Sequence, residues 1–198
     1  MMRSLEVEND SGRDTSLCGD PKFWFPMRVT YGRELKVKAE LDRLKIENFL
    51  PMKHAVVDID TENPRCKLVP AIKNLIFIHS TQAIIQDLKS RNSQLQPLRY
   101  MVDYTAIKAH TVMTIPEHHM QNFMLVASHC DDNVMFLDAK SLKGKEGKRV
   151  VVTDGVFKGV TGVIRRVKRC KRVVVELEGV ASVAIAFVPG ILLKEIEC

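Results

Sequence analysis

The chain has 198 residues, of which 45% are hydrophobic and 27% are charged. These proportions are typical of a folded soluble protein with one or two domains. No apolar run reaches the ~20 residues that cross a bilayer, and the polar start has neither the basic nor the apolar region of a signal peptide. The composition therefore argues against a helical membrane protein, and we expect a cytoplasmic location with no membrane partner.

The positive charge is concentrated in one segment. Residues 143–172 contain eleven basic and two acidic residues, a net charge of +9, while the whole chain carries only +6. The rest of the chain is therefore slightly acidic, at −3. A local positive field of this kind attracts anionic partners such as nucleic acid, although it is also compatible with a solvated basic surface.

Residues 1–20 are polar and lack periodicity, which predicts a disordered tail. "KFWFPMRVTY" then predicts a strand, in which Pro26 indicates an edge or a bulge. "RELKVKAELDRLKI" has helical spacing of its leucines and predicts an amphipathic helix. Domain one is expected to begin here, at residue 21.

The pattern up to residue 136 alternates between strands and helices. Extended segments around "VVDID" and "LIFIHS" flank the polar turn "TENPRCK", and "TQAIIQDLKSRN" predicts a short helix. "LRYMVDYTAIKAHTVMTI" predicts two strands, and Pro116 opens a helix over "EHHMQNFMLVASH". We therefore predict an α+β domain over residues 21–136, in which helices pack on a largely antiparallel sheet.

Residues 137–146 lose all periodicity and are rich in Lys and Gly, which indicates a linker. Beyond it, "RVVVTD", "TGVIRRV", "KRVVVELE", "ASVAIAFV" and "GILLKEI" are five short Val- and Ile-rich runs. Five strands in so few residues favour a small closed β-barrel, because closure removes exposed edges. The second domain is predicted over residues 147–198.

The stretch "VTDGVFKGVTGVIRRV" does not match a phosphate-binding loop. Its spacing is G-x-x-x-G-x-x-G, and the β-branched residues that follow do not predict the helix that such loops require. We instead predict that Gly155, Gly159 and Gly162 shape a turn at a corner of the barrel. Phe157 then lies in this turn, either folded back as a lid or exposed as a contact residue.

Catalytic patterns are weak. His118 and His119 are adjacent and diverge on a helix, and the "SHCDD" segment at residues 128–132 lacks the spacing of a known metal or nucleophile motif. The five cysteines are odd in number, scattered and without C-x-x-C, which indicates free thiols. We expect no enzyme activity, no metal and no cofactor; a hydrolase would require His129 and Cys130 to converge in a cleft.

Several motifs together resemble the NusG family of transcription elongation factors, which have an N-terminal NGN domain and a C-terminal KOW domain. "GKRVVVTDGVFKGVTGVIRRV" resembles the KOW signature, and "WFPMRVTYGRE", "ENFLP", "IKNLIFI" and "IPEHHM" resemble NGN motifs. In "IKNLIFI", Ile72 to Leu75 replace the family's usual F-P-G-Y. That departure, with the long segment between Ser80 and Thr114, is most similar to the specialised RfaH and UpxY-type antiterminators of surface-polysaccharide operons.

The resemblance implies an NGN-type antiparallel sheet with flanking helices, followed by an SH3-like five-stranded KOW barrel. It implies a transcription antitermination and elongation factor, in which the NGN domain binds the clamp helices of the large RNA polymerase subunit and suppresses pausing or termination. The KOW barrel would bind a second partner such as ribosomal protein S10, a termination factor or nucleic acid.

The resemblance also implies roles for individual residues. The polymerase-binding candidates are Arg28, Tyr31, Ile72, Leu75 and Phe77, of which Phe77 is favoured as a core residue. The candidates for contact with non-template or upstream DNA are Arg33 and Lys36, and those for the KOW partner are Phe157, Lys158, Arg165 and Arg166. An alternative, favoured by the KOW motif and its charge, is a KOW-containing RNA-binding ribosomal or assembly factor.

Overall fold

The computed structural model describes residues 21–57, 65–103, 111–129, 134–137, 147–185 and 188–196. Within these ranges the chain forms three helices, α1 (Glu34–Arg43), α2 (Gln82–Arg91) and α3 (Glu117–Ala127). The strands in chain order are β1 (Phe23–Val29), β2 (Asn48–Phe49), β3 (Met52–Val57), β4 (Arg65–Pro70), β5 (Leu75–Ser80), β6 (Leu98–Tyr100), β7 (Val102–Asp103), β8 (Thr111–Val112), β9 (Val134–Leu137), β10 (Arg149–Val152), β11 (Thr161–Val167), β12 (Cys170–Leu177), β13 (Ala181–Ile185) and β14 (Leu193–Glu195).

The N-terminal half is built on a four-stranded antiparallel sheet in the order β2-β5-β1-β6. Successive residues of a strand point to opposite faces, so Phe25, Met27 and Val29 of β1 share one face. These three side chains form a core cluster with Val37 of α1 and Ile85 of α2. The two helices therefore cover this face of the sheet, and the predicted α+β class with antiparallel strands is confirmed.

Both of these helices form where the sequence predicts them. In α1, Val37 and Leu41 are buried at helical spacing, and Lys38 pairs with Asp42 one turn later at 3.0 Å. In α2, the hydroxyl of Thr81 accepts a hydrogen bond from the N–H of Ile84 and caps the helix. Periodicity thus favours α1, and a local cap favours the start of α2.

Pro26 lies in β1, a central strand, although its sequence context predicts an edge or a bulge. The N–H of Val29 donates to the carbonyl of Asn74, on the β5 side of β1. Backbone N–H groups alternate in direction along a strand, so the backbone nitrogen of Pro26 points to the other side, towards β6. On that side β6 pairs only from Met27 onwards, and the next contact is the bridge between Trp24 and Ile115. Pro26 therefore occupies a gap in the pairing, where its missing N–H leaves no hydrogen bond unmade.

The hairpin β3–β4 extends from this half as a separate two-stranded ribbon. Of the "TENPRCK" segment that predicts a turn, residues 61–64 lie outside the described residues, as do the predicted tail and most of the predicted linker, whereas Arg65, Cys66 and Lys67 belong to β4. No helix within the described ranges is long and apolar enough to span a membrane.

The C-terminal half forms a second antiparallel sheet in the order β14-β10-β11-β12-β13-β9. All five predicted strands are present, and β9 adds a sixth by pairing with β13 along residues Val134–Leu137. This strand lies across the boundary that we predicted at residue 136. Within the described residues no strand pair joins β14 to the opposite edge, so closure into an SH3-like barrel stays a prediction.

One core cluster joins the two halves. It contains Trp24 and Phe77 of the first sheet, Phe123 of α3, and Val175 and Val183 of the second sheet. Helix α3 packs against both β12 and β13. The second face of the first sheet is therefore covered by α3 and by the second sheet.

Candidate functional site

The polymerase-binding candidates fall into two groups. Leu75 and Phe77 are buried within the first sheet, whereas Arg28, Tyr31 and Ile72 lie at one end of it, which we call the rim. Leu75 is only 4% exposed and Phe77 is fully buried, and both belong to the core cluster shared by the two halves. The rings of Phe77 and Phe123 lie 5.6 Å apart, and Phe49 lies 6.4 Å from each of them. In this arrangement Leu75 and Phe77 reach no partner unless the elements covering them move away.

The rim candidates lie at one end of the same sheet. Arg28 is exposed, and its neighbour across the β1–β6 ladder is Arg99. Tyr31 is 87% exposed and has a positive φ of 65°, and the guanidinium of Arg33 lies 5.8 Å from its ring centre. Ile72 is half-buried against the shared core cluster. An exposed aromatic ring beside an arginine is a surface suited to binding another macromolecule.

This end of the sheet is held together by Glu34, which our sequence analysis did not single out. Its side chain is only 5% exposed, and its Oε1 accepts a hydrogen bond of 2.6 Å from the N–H of Asn74. The carbonyl of Asn74 in turn accepts from the N–H of Val29. The start of α1, which presents the exposed Arg33 and Lys36, is thereby tied to the turn that carries Ile72. The Gly-Arg-Glu motif before the helix is the only local signal for this contact.

A polar cluster connects α3 to the first sheet. The indole Nε1 of Trp24 donates to Glu117 Oε2 at 2.8 Å, and the Trp24 ring stacks on His79 with 4.9 Å between centroids. His79 Nδ1 lies 2.6 Å from Glu47 Oε2. These residues are far apart in the sequence, so no spacing pattern could have predicted the cluster. It fixes the N-terminus of α3 against β1 and β5.

The loop between β10 and β11 is folded back onto the protein. Phe157 is half-buried in the shared core cluster, and its ring meets that of His129 edge-on at 4.9 Å. Gly155 and Gly159 have φ of +85° and +86°, as a tight turn requires, whereas Gly162 lies within β11. Phe157 is thus folded back rather than exposed, and the exposed side chains of this loop are Thr153, Asp154, Val156 and Lys158.

The remaining KOW candidates lie on β11. Arg165 is half-buried and pairs with Glu176 of β12 at 3.0 Å, whereas Arg166 is exposed. Alternation along the strand places the two arginines on opposite faces of the sheet. Phe157, Lys158, Arg165 and Arg166 therefore do not form one continuous patch.

A cleft of about 860 Å³ separates the start of α3 from the second sheet. His118, His119 and Arg149 line it, and Asn122 of α3 donates to Thr161 Oγ1 across it at 2.9 Å. Partial burial, together with the nearby charges of His118 and Arg149, lowers the pKa of His119.

The structure brings together no group of three metal-ligating side chains among the residues that it describes. His129 Nδ1 bonds to the carbonyl of Leu125, and Cys130, the partner that a hydrolase would need, lies outside the described residues. Cys66 and Cys170 are free exposed thiols, whereas Cys18 and Cys198 also fall outside.

A family model matches the N-terminal half of the chain. Residues 22–124 match the family model of the transcription termination factor nusG, which spans slightly more than half of the chain. The match covers the first sheet, α1, α2 and most of α3, and it includes all the rim residues described above. No curated protein matches the chain.

Proposed function

The chain belongs to the NusG family of transcription factors, and from this premise we propose that it is an elongation and antitermination factor that binds RNA polymerase through its N-terminal half. The partner would be the clamp helices of the large polymerase subunit. Binding would suppress pausing or termination, at specific operons of the surface-polysaccharide type. A cytoplasmic location is part of the proposal, because RNA polymerase is the partner.

The family match over residues 22–124 is the observation that carries the proposal. The mechanism involves no bond chemistry: the protein would stabilise the closed polymerase clamp by contacting it. Binding energy alone can shift such a two-state equilibrium, provided that the protein has a higher affinity for the closed state.

The geometry suggests which residues bind first. Arg28 and Tyr31 are exposed at the end of the sheet, and Ile72 borders them, whereas Leu75 and Phe77 lie under α3 and the second sheet. We propose that the rim makes the initial contact and that Arg33 and Lys36 face upstream or non-template DNA. Use of Leu75 would require the second sheet to separate from α3.

The second half would provide a further contact, with ribosomal protein S10 or with a termination factor, if it forms a KOW barrel. Thr153, Asp154, Val156 and Lys158 are the exposed side chains of its β10–β11 loop. Phe157 would take part only after leaving its contact with His129.

The test is transcription by purified RNA polymerase across a pause site and a terminator, with and without the full-length protein. We expect increased readthrough, and we expect the double variant Arg28→Ala/Tyr31→Asn to lose it, because both side chains are exposed. Asn is chosen because it tolerates the positive φ at position 31. Arg91→Ala, which removes an exposed arginine from the end of α2, is the matched control. Unchanged readthrough on the leader of the protein's own operon, or no capture of polymerase, would overturn the proposal.

A KOW-containing RNA-binding ribosomal or assembly factor is the alternative, favoured by the run of basic residues on β11 and β12. It predicts RNA affinity that falls steeply with salt and no association with polymerase. Whether the full-length protein captures purified RNA polymerase distinguishes the elongation factor from the RNA-binding factor.

A further inference from the structure

The hairpin formed by β11 and β12 carries six cationic side chains within eight residues. They are Arg165, Arg166, Lys168, Arg169, Lys171 and Arg172, and no acidic residue lies among them. We call this set the cationic hairpin. Four of its members, all except Arg165 and Arg172, are exposed.

The strand register places like charges directly opposite each other. Arg165 faces Arg172 across the ladder, and Arg166 faces Lys171. Like charges at directly opposite positions destabilise a strand pair. Arg165 is compensated by Glu176, but the exposed cations have no ion pair with any described residue. The hairpin thus forms despite repulsion between its strands.

The turn of the hairpin has an unfavourable backbone conformation for its residues. Lys168 and Arg169 have φ of +47° and +68°, in the left-handed region. Two-residue hairpin turns of this kind favour Asn-Gly, because a side chain with a Cβ is strained there. A Lys-Arg pair therefore contributes charge to the tip of the hairpin at a cost in local stability.

Arg172 adds a third unfavourable feature. Its Nε and Nη1 atoms are shielded from solvent and have no hydrogen-bond partner among the described residues. Shielded donors without an acceptor are costly, and more so when they are charged. None of these three features improves the packing of the second sheet. An anionic ligand would relieve the repulsion between the exposed cations, whereas the turn would stay strained and the Arg172 donors are closed to an external ligand.

We propose that the cationic hairpin binds the phosphate backbone of duplex DNA. A two-stranded antiparallel ribbon fits the major groove of B-DNA. Alternation places Arg165 and Arg172 on one face and Arg166 and Lys171 on the other, with Lys168 and Arg169 at the tip. Arg165 and Arg172 are half-buried, so the exposed cations that reach the phosphates are those of the second face and of the tip. This is a backbone contact without base recognition.

The composition of the hairpin favours a duplex over a single strand. Residues 161–177 contain no Phe, Tyr or Trp. Proteins that bind single strands stack bases on aromatic side chains, and the deep, narrow major groove of duplex RNA does not admit a ribbon. This DNA contact is separate from Arg33 and Lys36 at the start of α1 and from the β10–β11 loop. It does not depend on the proposed contact with polymerase.

The experiment measures binding of the full-length protein to a fluorescent DNA duplex of about 20 base pairs, between about 50 and 200 mM salt. The first variant is Arg166→Gln/Lys171→Gln. The second is Lys168→Asn/Arg169→Gly, which removes charge while giving the turn the residues it favours. The second variant should therefore unfold at a temperature equal to or higher than the wild type, so that its loss of binding cannot come from misfolding.

The matched control is Lys53→Gln/Lys67→Gln, which removes two exposed lysines from the β3–β4 ribbon. We expect each cationic-hairpin variant to bind the duplex at least about tenfold more weakly and to lower the salt slope by about two, with little change in the control. An equal loss in the control would show binding by net charge alone and would overturn the proposal. Tighter binding to single-stranded RNA of the same length, or no duplex binding by the wild type, would also overturn it.

Discussion

At the scale of single residues, Asn74 shows how the chain holds an unusual backbone conformation at the end of the first sheet. Its φ is +60°, a region that Asn tolerates better than most residues. Its N–H is bound by the nearly buried carboxylate of Glu34, and its carbonyl is bound by Val29. The turn that presents Ile72 is therefore fixed by two hydrogen bonds to distant parts of the chain.

The first prediction concerns Glu34. Glu34→Ala removes the acceptor of the Asn74 N–H, and we expect the free energy of unfolding to fall by about 1–2 kcal/mol. Glu34→Gln keeps an acceptor oxygen and should lose less. Urea denaturation followed by Trp24 fluorescence measures both variants. If Ala and Gln were equally well tolerated, the hydrogen bond would contribute nothing measurable.

A second residue-scale prediction concerns His119, whose pKa is lowered by partial burial and by the nearby His118 and Arg149. The unfolded chain, with a histidine pKa of about 6.5, takes up the proton first as the pH falls. Stability from this residue is therefore fully present above about pH 6.5 and is lost as the pH falls towards the lower pKa of the folded state. His119→Gln should flatten the loss of thermal stability between about pH 7 and 5.

His54→Gln, on the exposed β3–β4 ribbon, is the control for removing one imidazole. Thermal midpoints measured across the pH range decide the question. If the thermal midpoint fell equally steeply with decreasing pH in His119→Gln and in the wild type, the prediction would be contradicted.

At the scale of elements, local patterns predicted most of the N-terminal half. The helical spacing of the leucines in "RELKVKAELDRLKI", the pattern of "TQAIIQDLKSRN" and Pro116 before α3 are local signals, and the three helices begin within a few residues of where these signals place them. Helix and turn chemistry depends on near neighbours, so it can be read without the fold.

Long-range pairing could not be predicted in the same way. Nothing in "VMFL" indicates that β9 pairs with β13 instead of ending the first domain, because strand partners are chosen by tertiary packing. The contacts of Trp24 with His79 and Glu117 likewise join residues from three elements. Phe157 could be placed in a turn from its flanking glycines, but its burial against His129 depends on the position of α3.

The third prediction separates two roles of glycine around β11. Gly155 has a positive φ with no atom near its missing Cβ, so Gly155→Ala should cost about 1 kcal/mol through backbone strain. A Cβ at Gly162 would instead lie 2.7 Å from the carbonyl oxygen of Val174 and 2.8 Å from Val173 Cγ1. That oxygen belongs to the neighbouring strand and cannot swing away, so Gly162→Ala should cost more, about 2–3 kcal/mol.

Chemical denaturation of the two variants under the same conditions ranks the costs. Equal destabilisation, or a larger effect at Gly155, would show that the β11–β12 strands do not approach as closely as the structure indicates.

At the scale of the whole molecule, the two halves share one hydrophobic core. Phe123 packs on Phe77 of the first sheet and belongs to the same cluster as Val175 of the second. Shared burial couples the stability of two regions, since neither keeps its apolar surface covered when the other unfolds. Leu75 is buried in the same cluster, so any partner that uses that residue must first expose it.

The last prediction follows from this coupling. Phe123→Ala removes a fully buried ring between the two halves, and we expect a loss of about 3–5 kcal/mol in a single cooperative transition. Trp24 fluorescence reports on the first sheet, and hydrogen exchange of the β12 amides reports on the second. Both signals should shift together to lower denaturant concentration, whereas Leu35→Ala, at a site that is 52% exposed, should leave them nearly unchanged. If the Trp24 transition shifted while the β12 amides kept their protection, the halves would unfold independently and the shared core would contribute little to their coupling.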